Sequence, residues 1–257
     1  MKILIYTHEF PPFLGGLATT SYKLARVISE AGLEVAALVP SYSFKDGEID
    51  KTLPYKIARM PLLGKRWVKG VPLLQYLLGW IFLYRALAKE KPEVALFIAE
   101  EAEVTGGFIP SFSFKVVHVA GSGITTNFLE SRMKSLLRFP MRRLYRKARS
   151  VIAVSRSTKE LLERVGVPSE KITVIYSGVE NYMIHQKLNT ENLNGLKKEF
   201  GIRENDKILL TVGRLLPRKG QDTVINALPR VIGRYVNPWS ERVDTRRNLR
   251  DLPGKKR

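Results

Sequence analysis

The residues best suited to chemistry in this 257-residue chain fall in two glycine-bearing loops, Pro11-Pro12-Phe13-Leu14-Gly15-Gly16 and Gly213-Arg214-Leu215-Leu216-Pro217-Arg218-Lys219-Gly220. Each follows an apolar run and precedes a stretch with helical spacing. A helix N-terminus presents unpaired N–H groups and partial positive charge, and two glycines let a phosphate approach the backbone closely. Gly15 and Gly16 are therefore a candidate phosphate site, with a generic strand-to-helix turn as the plainer alternative. In the second loop Arg214 would leave a strand end and Lys219 would stand at the start of the next helix, so that two fixed cations could grip one pyrophosphate. A solvated basic loop is the alternative there. The first loop is not G-x-G-x-x-G, and Pro40-Ser41 stands where a dinucleotide site needs an acid after the second strand. That disfavours a nicotinamide-type enzyme.

The elements that would position these loops follow from apolar patterning. Strand-like runs occur at residues 2–7, 34–40, 55–60, 93–98, 115–119, 150–155 and 172–176. Helical spacing occupies roughly residues 17–31, 72–89, 132–148 and 157–165. Near-continuous hydrophobic strands alternating with helices predict a doubly wound, Rossmann-like α/β domain with a parallel sheet covered on both faces. We assign it residues 1–183. Residues 184–205 are polar and read as an interdomain connection. A further strand at 206–215 and a helix at 221–232 read as the start of a second Rossmann-like domain. One strand and one helix cannot build a core, so that domain is expected to be incomplete, and 233–257 to be an atypical basic tail without order.

Composition narrows the class. Hydrophobic residues make up 44% and charged residues 26%, as in a globular protein. The chain contains no Cys, which excludes thiolate chemistry and disulfides and fits a reducing compartment, the cytoplasm being the expected location. The opening MKILIYTHEF is too short in its apolar run for a signal peptide and reads as a strand. A net charge of +19 calls for an anionic partner: nucleic acid, an anionic membrane surface or a phosphorylated small molecule. No nucleic-acid-binding motif is visible, so nucleic acid is the least favoured. The run Val71–Tyr84 is too short to span a bilayer and reads as a sheet-covering helix, with an interfacial helix as the alternative. Residues 132–149 carry eight cations and no acid, which suits either a solvated covering helix or one lying on anionic lipid, and Pro140 should kink or divide it.

Four blocks together, PPFLGG, LARVISEAGLEVAALVP, VIAVSRSTKELLERVGVPSEKITVIYSGVE and VGRLLPRKGQDTVINAL, resemble the family-4 glycosyltransferases of GT-B fold. The resemblance spans residues 1 to about 232. It implies a hexosyltransferase-type enzyme that moves a sugar from a nucleotide-diphosphate-sugar donor to a glycan or lipid-linked acceptor, with retention and without a metal or other cofactor. It also implies that Gly15 and Gly16 face the donor phosphates and that Arg214 and Lys219 hold the departing diphosphate. Two departures stand out. The family's His-Gly pair near the reacting sugar is replaced by Ala120-Gly121, with His118 two residues earlier on the same strand face. His118 and Gly121 are thus candidates for the acceptor-side cleft, His118 being a weak catalytic candidate against a structural role. The family's pair of donor-binding glutamates is not found after Lys219, so the chain is expected to be a truncated and inactive form. A noncatalytic membrane- or acceptor-binding module is the alternative.

Overall fold

A computed structural model describes residues 1–43, 46–71, 73–109, 114–119, 135–178, 190–203, 206–213, 215 and 219–235. The chain divides into two compact units, Met1–Ile184 and His185–Arg257.

The first unit is built on seven parallel strands: β1 (Lys2–Thr7), β2 (Glu34–Pro40), β3 (Lys56–Met60), β4 (Val94–Ile98), β5 (Phe114–Val119), β6 (Ser150–Ala153) and β7 (Ile172–Val174). They lie in the order β3-β2-β1-β4-β5-β6-β7, with Ile5 opposite Ala37 on one side and Leu96 on the other. The chain winds outward in one direction from β1 and in the other from β4, so the order reverses between these two strands. The crevice beyond their carboxyl ends is where open α/β sheets bind ligands.

The helices follow from the faces they cover. The described helices of the first unit are α1 (Gly16–Glu30), α2 (Asp46–Asp50), α3 (Arg66–Gly70), α4 (Leu74–Glu90), α5 (Glu100–Gly107), α6 (Ser135–Lys147) and α7 (Arg156–Arg164). One sheet face buries Leu4, Tyr6, Leu38, Phe97 and Val117 against Leu83 and Leu87 of α4 and Met141, Leu144 and Tyr145 of α6. The other buries Ile3, Ile5, Val35, Ala37, Leu96 and Ile98 with Ala25 of α1. Truncating a fully buried side chain such as Leu83 should cost about 3 kcal/mol. Helix α7 starts on a cap, the Ser155 hydroxyl accepting from Thr158 N–H at 3.0 Å.

Several features differ from the sequence expectations, among them the short helices α2 and α3, which no helical spacing signalled, and the helix that starts at Gln221, which runs on to Tyr235 into the tail expected to lack order. Helix α6 runs unbroken through Pro140. Its close approach to α5 rests on Gly107, where a Cβ would stand 1.9 Å from the Pro140 carbonyl oxygen. Helix α5 has no counterpart in the apolar pattern, because six of its eight residues are buried and it shows no polar face. The expected strand over 206–215 is absent from its described residues: 206–213 pair with no neighbour among the described residues, and Leu210 and Val212 are 77% and 86% exposed. A strand needs an adjacent strand to take up its N–H and C=O groups, and a local apolar run cannot supply one. The described helices of the second unit are α8 (Thr190–Glu199) and α9 (Gln221–Tyr235). The basic tail, apart from the residues up to Tyr235 that continue α9, lies outside the described residues.

Helices α5 and α6 are joined by a hydrogen bond that Tyr145 donates to the buried carboxyl of Glu103. Burial pushes Glu103 up to about 7, with the Tyr145 hydroxyl opposing the shift and Glu101 adding to it. A carboxyl whose pKa is higher in the fold than in the unfolded chain favours folding below the ordinary glutamate range. That contribution is lost as pH rises through about 7. Glu103→Gln is therefore expected to match the parent in urea denaturation near pH 4.5 and to gain on the order of 2 kcal/mol relative to it by pH 8. An equal effect at both pH values would contradict the buried-carboxyl account.

Candidate functional site

Strand β1 ends at Thr7, whose hydroxyl donates to the Glu9 carbonyl at 3.1 Å and accepts from Ser21 of α1 at 3.3 Å. The loop then passes through a cis Pro11-Pro12 bond and a turn in which Phe13 N–H donates to the Phe10 carbonyl at 3.1 Å. Gly15 caps α1 in an extended conformation, so its φ makes no demand for glycine. Space makes that demand: a Cβ on Gly15 would lie 3.1 Å from both Glu9 Oε2 and the Phe13 ring. A Cβ on Gly16 would meet nothing within 4 Å.

Arg59 of β3 holds this loop. Its guanidinium donates to the Pro11 carbonyl from both Nη atoms at 3.1 Å and to the Pro40 carbonyl at 2.9 Å. It forms a fork with Asp50 at 2.6 and 3.0 Å and lies 5.6 Å from the Phe10 ring centroid. Asp46 completes the cluster. Burial pushes its carboxyl up, but N–H groups of Tyr42 and Ser43, the Ser41 hydroxyl and Arg59 outweigh that and hold it below the ordinary aspartate range. Tyr42 stacks on Phe13 with centroids 5.7 Å apart and donates to the His8 carbonyl at 3.1 Å.

Two helix N-termini meet the strand ends at the switch point, and their charges differ. Helix α1 has no acid in its first turn. Helix α5 has Glu100, Glu101 and Glu103, and its cap Ala99 has φ +78°, a left-handed backbone at a non-glycine residue. The positive end of α5 is thus offset by its own carboxylates, while α1 carries none in its first turn and has the Glu9 carboxylate of the preceding loop beside its cap Gly15. Beneath them Tyr6 Oη and His8 Nε2 are 2.7 Å apart, and Gly79 of α4 packs so closely that a Cβ would stand 2.4 Å from Tyr6 Oη. Burial raises the Tyr6 pKa well above its ordinary value, with the Thr105 hydroxyl opposing.

His118 is buried on β5 between Ile98 of β4 and Ile152 of β6 in register. Its Nδ1 has no hydrogen-bond partner among the described residues. Burial lowers its pKa, its own backbone carbonyl opposing, so the ring is neutral at pH 7. It lines a cavity of about 300 Å³ with Thr20 and Lys23 of α1, Ile152, Tyr176 and Ser177. The structure therefore sets His118 against the flank of α1, the helix whose N-terminus carries Gly15 and Gly16. Lys219 is exposed in the second unit just before Gly220, whose φ is +69°, and α9. Arg214 and Gly121 lie outside the described residues. The sequence reading missed Arg59, Glu9 and the α5 acids. Only the strand order brings Glu100 and Glu101 beside β1, and no local spacing signals it.

Residues 14–181 match the profile of Glycosyltransferase Family 4. The chain belongs to this family. It is 25% identical to an uncharacterised glycosyltransferase (MJ1607) of Methanocaldococcus jannaschii, over 91% of this chain and 61% of the relative. It thus spans about three-fifths of that relative's length. Two solved structures share the fold. Anabaena Alr3699/HepE, in complex with UDP and glucose, aligns with a TM-score of 0.63 at 21% identity, over 90% of this chain and 58% of that one. Sucrose-phosphate synthase from Thermosynechococcus elongatus aligns with a TM-score of 0.67 at 16% identity, over 90% and 60%. The parallel sheet with flanking helices is the Rossmann-like architecture of the GT-B glycosyltransferases. Among the described residues no helix is long and apolar enough to cross a membrane.

Removing Arg59 should uncouple the family-4 loop from the sheet. Arg59→Gln leaves Asp46 and Asp50 without their cation and is expected to cost about 3 kcal/mol in urea denaturation, with faster amide exchange at Gly15 and Gly16. Arg59→Lys should recover only part of this, because an ammonium cannot span the Pro11, Pro40 and Asp50 acceptors together. Unchanged exchange in both variants would contradict the positioning role.

Proposed function

We propose that this chain supplies the acceptor side of a cytoplasmic, hexosyltransferase-type enzyme that takes its sugar from a nucleotide-diphosphate-sugar donor. The observation that carries the proposal is the α1 N-terminus at the sheet's switch point, which has no acid in its own first turn and begins at Gly15 and Gly16, with the Glu9 carboxylate of the preceding loop beside Gly15. Backbone N–H groups there would take up donor phosphate charge, most strongly as the diphosphate departs. The family resemblance gives Arg214 and Lys219 the role of holding the departing diphosphate. Transfer with retention and without a metal follows the family resemblance. His118, with Gly121, would face the acceptor, and its neutral ring is suited to a hydroxyl rather than an anion. The acceptor would be a glycan or a lipid-linked sugar, the latter bringing the chain to the anionic inner face of a membrane.

In this proposal residues 1–183 form the acceptor-side domain, 184–205 connect, and 206–232 begin a donor-side domain. The unpaired apolar segment Ile208–Val212 supports the view that this domain is incomplete and that the chain alone transfers no sugar. The same segment favours the second reading, a noncatalytic acceptor- or membrane-binding module.

Two assays test this. The chain alone, supplied with nucleotide sugars and a glycan or lipid-linked acceptor, is expected to give no glycoside. Joined after Ile184 to the donor-side part of the M. jannaschii relative, it should give donor-dependent product, and Gly15→Asp in that fusion should cut the rate roughly a hundredfold. Product from the chain alone would overturn the inactivity, and a fusion indifferent to Gly15 would overturn the phosphate role.

A further inference from the structure

Helices α4 and α6 lie on the same face of the sheet, flanking the buried α5, and each presents an outward surface unlike that of an ordinary covering helix. Leu73, Leu77, Trp80 and Tyr84 recur at helical spacing along α4 and are all exposed, Leu77 by 55% and Tyr84 by 52%. The Trp80 and Tyr84 rings stack with centroids 5.9 Å apart. Trp67 of α3 is 57% exposed just before this stripe. The charges on these elements are of one sign. Between residues 61 and 90 the only acid is Glu90, which is buried and paired with Lys2 and Lys56, while Lys65, Arg85 and Lys89 are exposed. On α6, Phe139 is 70% exposed and, with Arg142, Arg143, Arg146 and Lys147, lines a groove of about 460 Å³. No acid occurs between residues 131 and 159.

We propose that the outer face of α3, α4 and α6 is a docking surface for an anionic lipid bilayer, with Trp67, Leu77, Trp80, Tyr84 and Phe139 entering the interface and the α6 cations meeting headgroup phosphates. Each half of this surface excludes a different competitor. A second copy of the chain could cover the aromatic stripe, but it would bring another +19 of charge against this one. Nucleic acid would satisfy the cations and leave the Leu, Trp and Tyr stripe in water. Aromatic and aliphatic side chains beside Lys and Arg are what a headgroup-to-acyl boundary accepts. The α6 groove alone could hold free phosphate, but the stripe on α4 could not, so the two together identify the bilayer as the source of the anion. The proposal rests on the membrane side of the function proposed above and not on sugar transfer, so vesicle binding and the transfer assay can fail independently.

The test is flotation of the full chain with vesicles of three parts phosphatidylcholine to one part phosphatidylglycerol, and with phosphatidylcholine alone. Binding to the anionic vesicles only is expected at about 0.1 M salt, with loss near 1 M, where the screening length falls to about 3 Å. Neutralising Arg142→Gln, Arg146→Gln and Lys147→Gln together should weaken it on the order of a hundredfold. Leu77→Gln with Trp80→Gln and Tyr84→Gln should weaken it roughly tenfold or more. In a Trp239→Phe background, fluorescence from Trp67 and Trp80 should be quenched by brominated lipid, a readout that needs no destabilising change. Binding that survives loss of the stripe, unquenched tryptophans, or sedimentation as a dimer that the stripe variant splits would each overturn the proposal. So would lipid binding that inorganic phosphate at equal charge abolishes, since that would assign the groove to the free anion.

Discussion

The site depends on one guanidinium. Arg59 sits on the third strand of the sheet, yet its five donors reach the first loop at Pro11, the end of the second strand at Pro40 and the short helix at Asp50. The Arg59 and Asp46 side chains are 13% and 4% exposed, so these charges are largely desolvated and each is tolerable only because the others are present. That mutual dependence makes the geometry of the Pro11–Gly16 loop a property of three strands together. A loop held only by its own turn would leave the α1 N-terminus free to move, and a phosphate site with moving donors forfeits much of the electrostatic advantage of preorganisation.

Once the loop is fixed, the sheet's winding gives it meaning. The reversal of strand order between β1 and β4 brings two helix N-termini to one edge, and their first turns differ, with acids in that of α5 and none in that of α1. The cation excess of the chain is similarly uneven. Acids that could balance it, such as Glu90, Asp46 and Asp50, are spent inside the fold on Lys2, Lys56 and Arg59. The outward cations of α6 therefore face solvent in company with Phe139. The proposed sugar-transfer role and the proposed lipid-docking surface are compatible within one domain, because they use the strand ends and a sheet face respectively.

Much of the fold was legible in sequence because its strands are buried on both faces. Ile3 to Tyr6 and Ala95 to Ile98 read as strands without any partner being known, and Gly15-Gly16 read as the turn between β1 and α1. What could not be read depends on neighbours. Ile208 to Val212 has the same local pattern as β1 but no adjacent strand among the described residues, and pattern alone does not distinguish the two cases. Helix α5 has no polar side to mark its period. Arg59 reads as a solvated strand residue until Pro11, 48 positions away, is brought beside it. Loop position alone offered Gly15, Gly16, Arg214 and Lys219 as phosphate-binding candidates with plainer alternatives beside them, and the family resemblance narrowed that expectation to the diphosphate of a donor.

The central claim is that the β1–α1 edge of the first unit is a built anion site and not one more consequence of a strongly basic chain. Titration of UDP into the isotopically labelled full chain, read by backbone amide shifts, addresses it most directly. The account predicts saturable shifts concentrated at Gly15, Gly16 and Leu17. Shifts concentrated on Arg142 to Lys147, with the Pro11–Gly16 loop unmoved, would show that the diphosphate follows net charge alone and would contradict it.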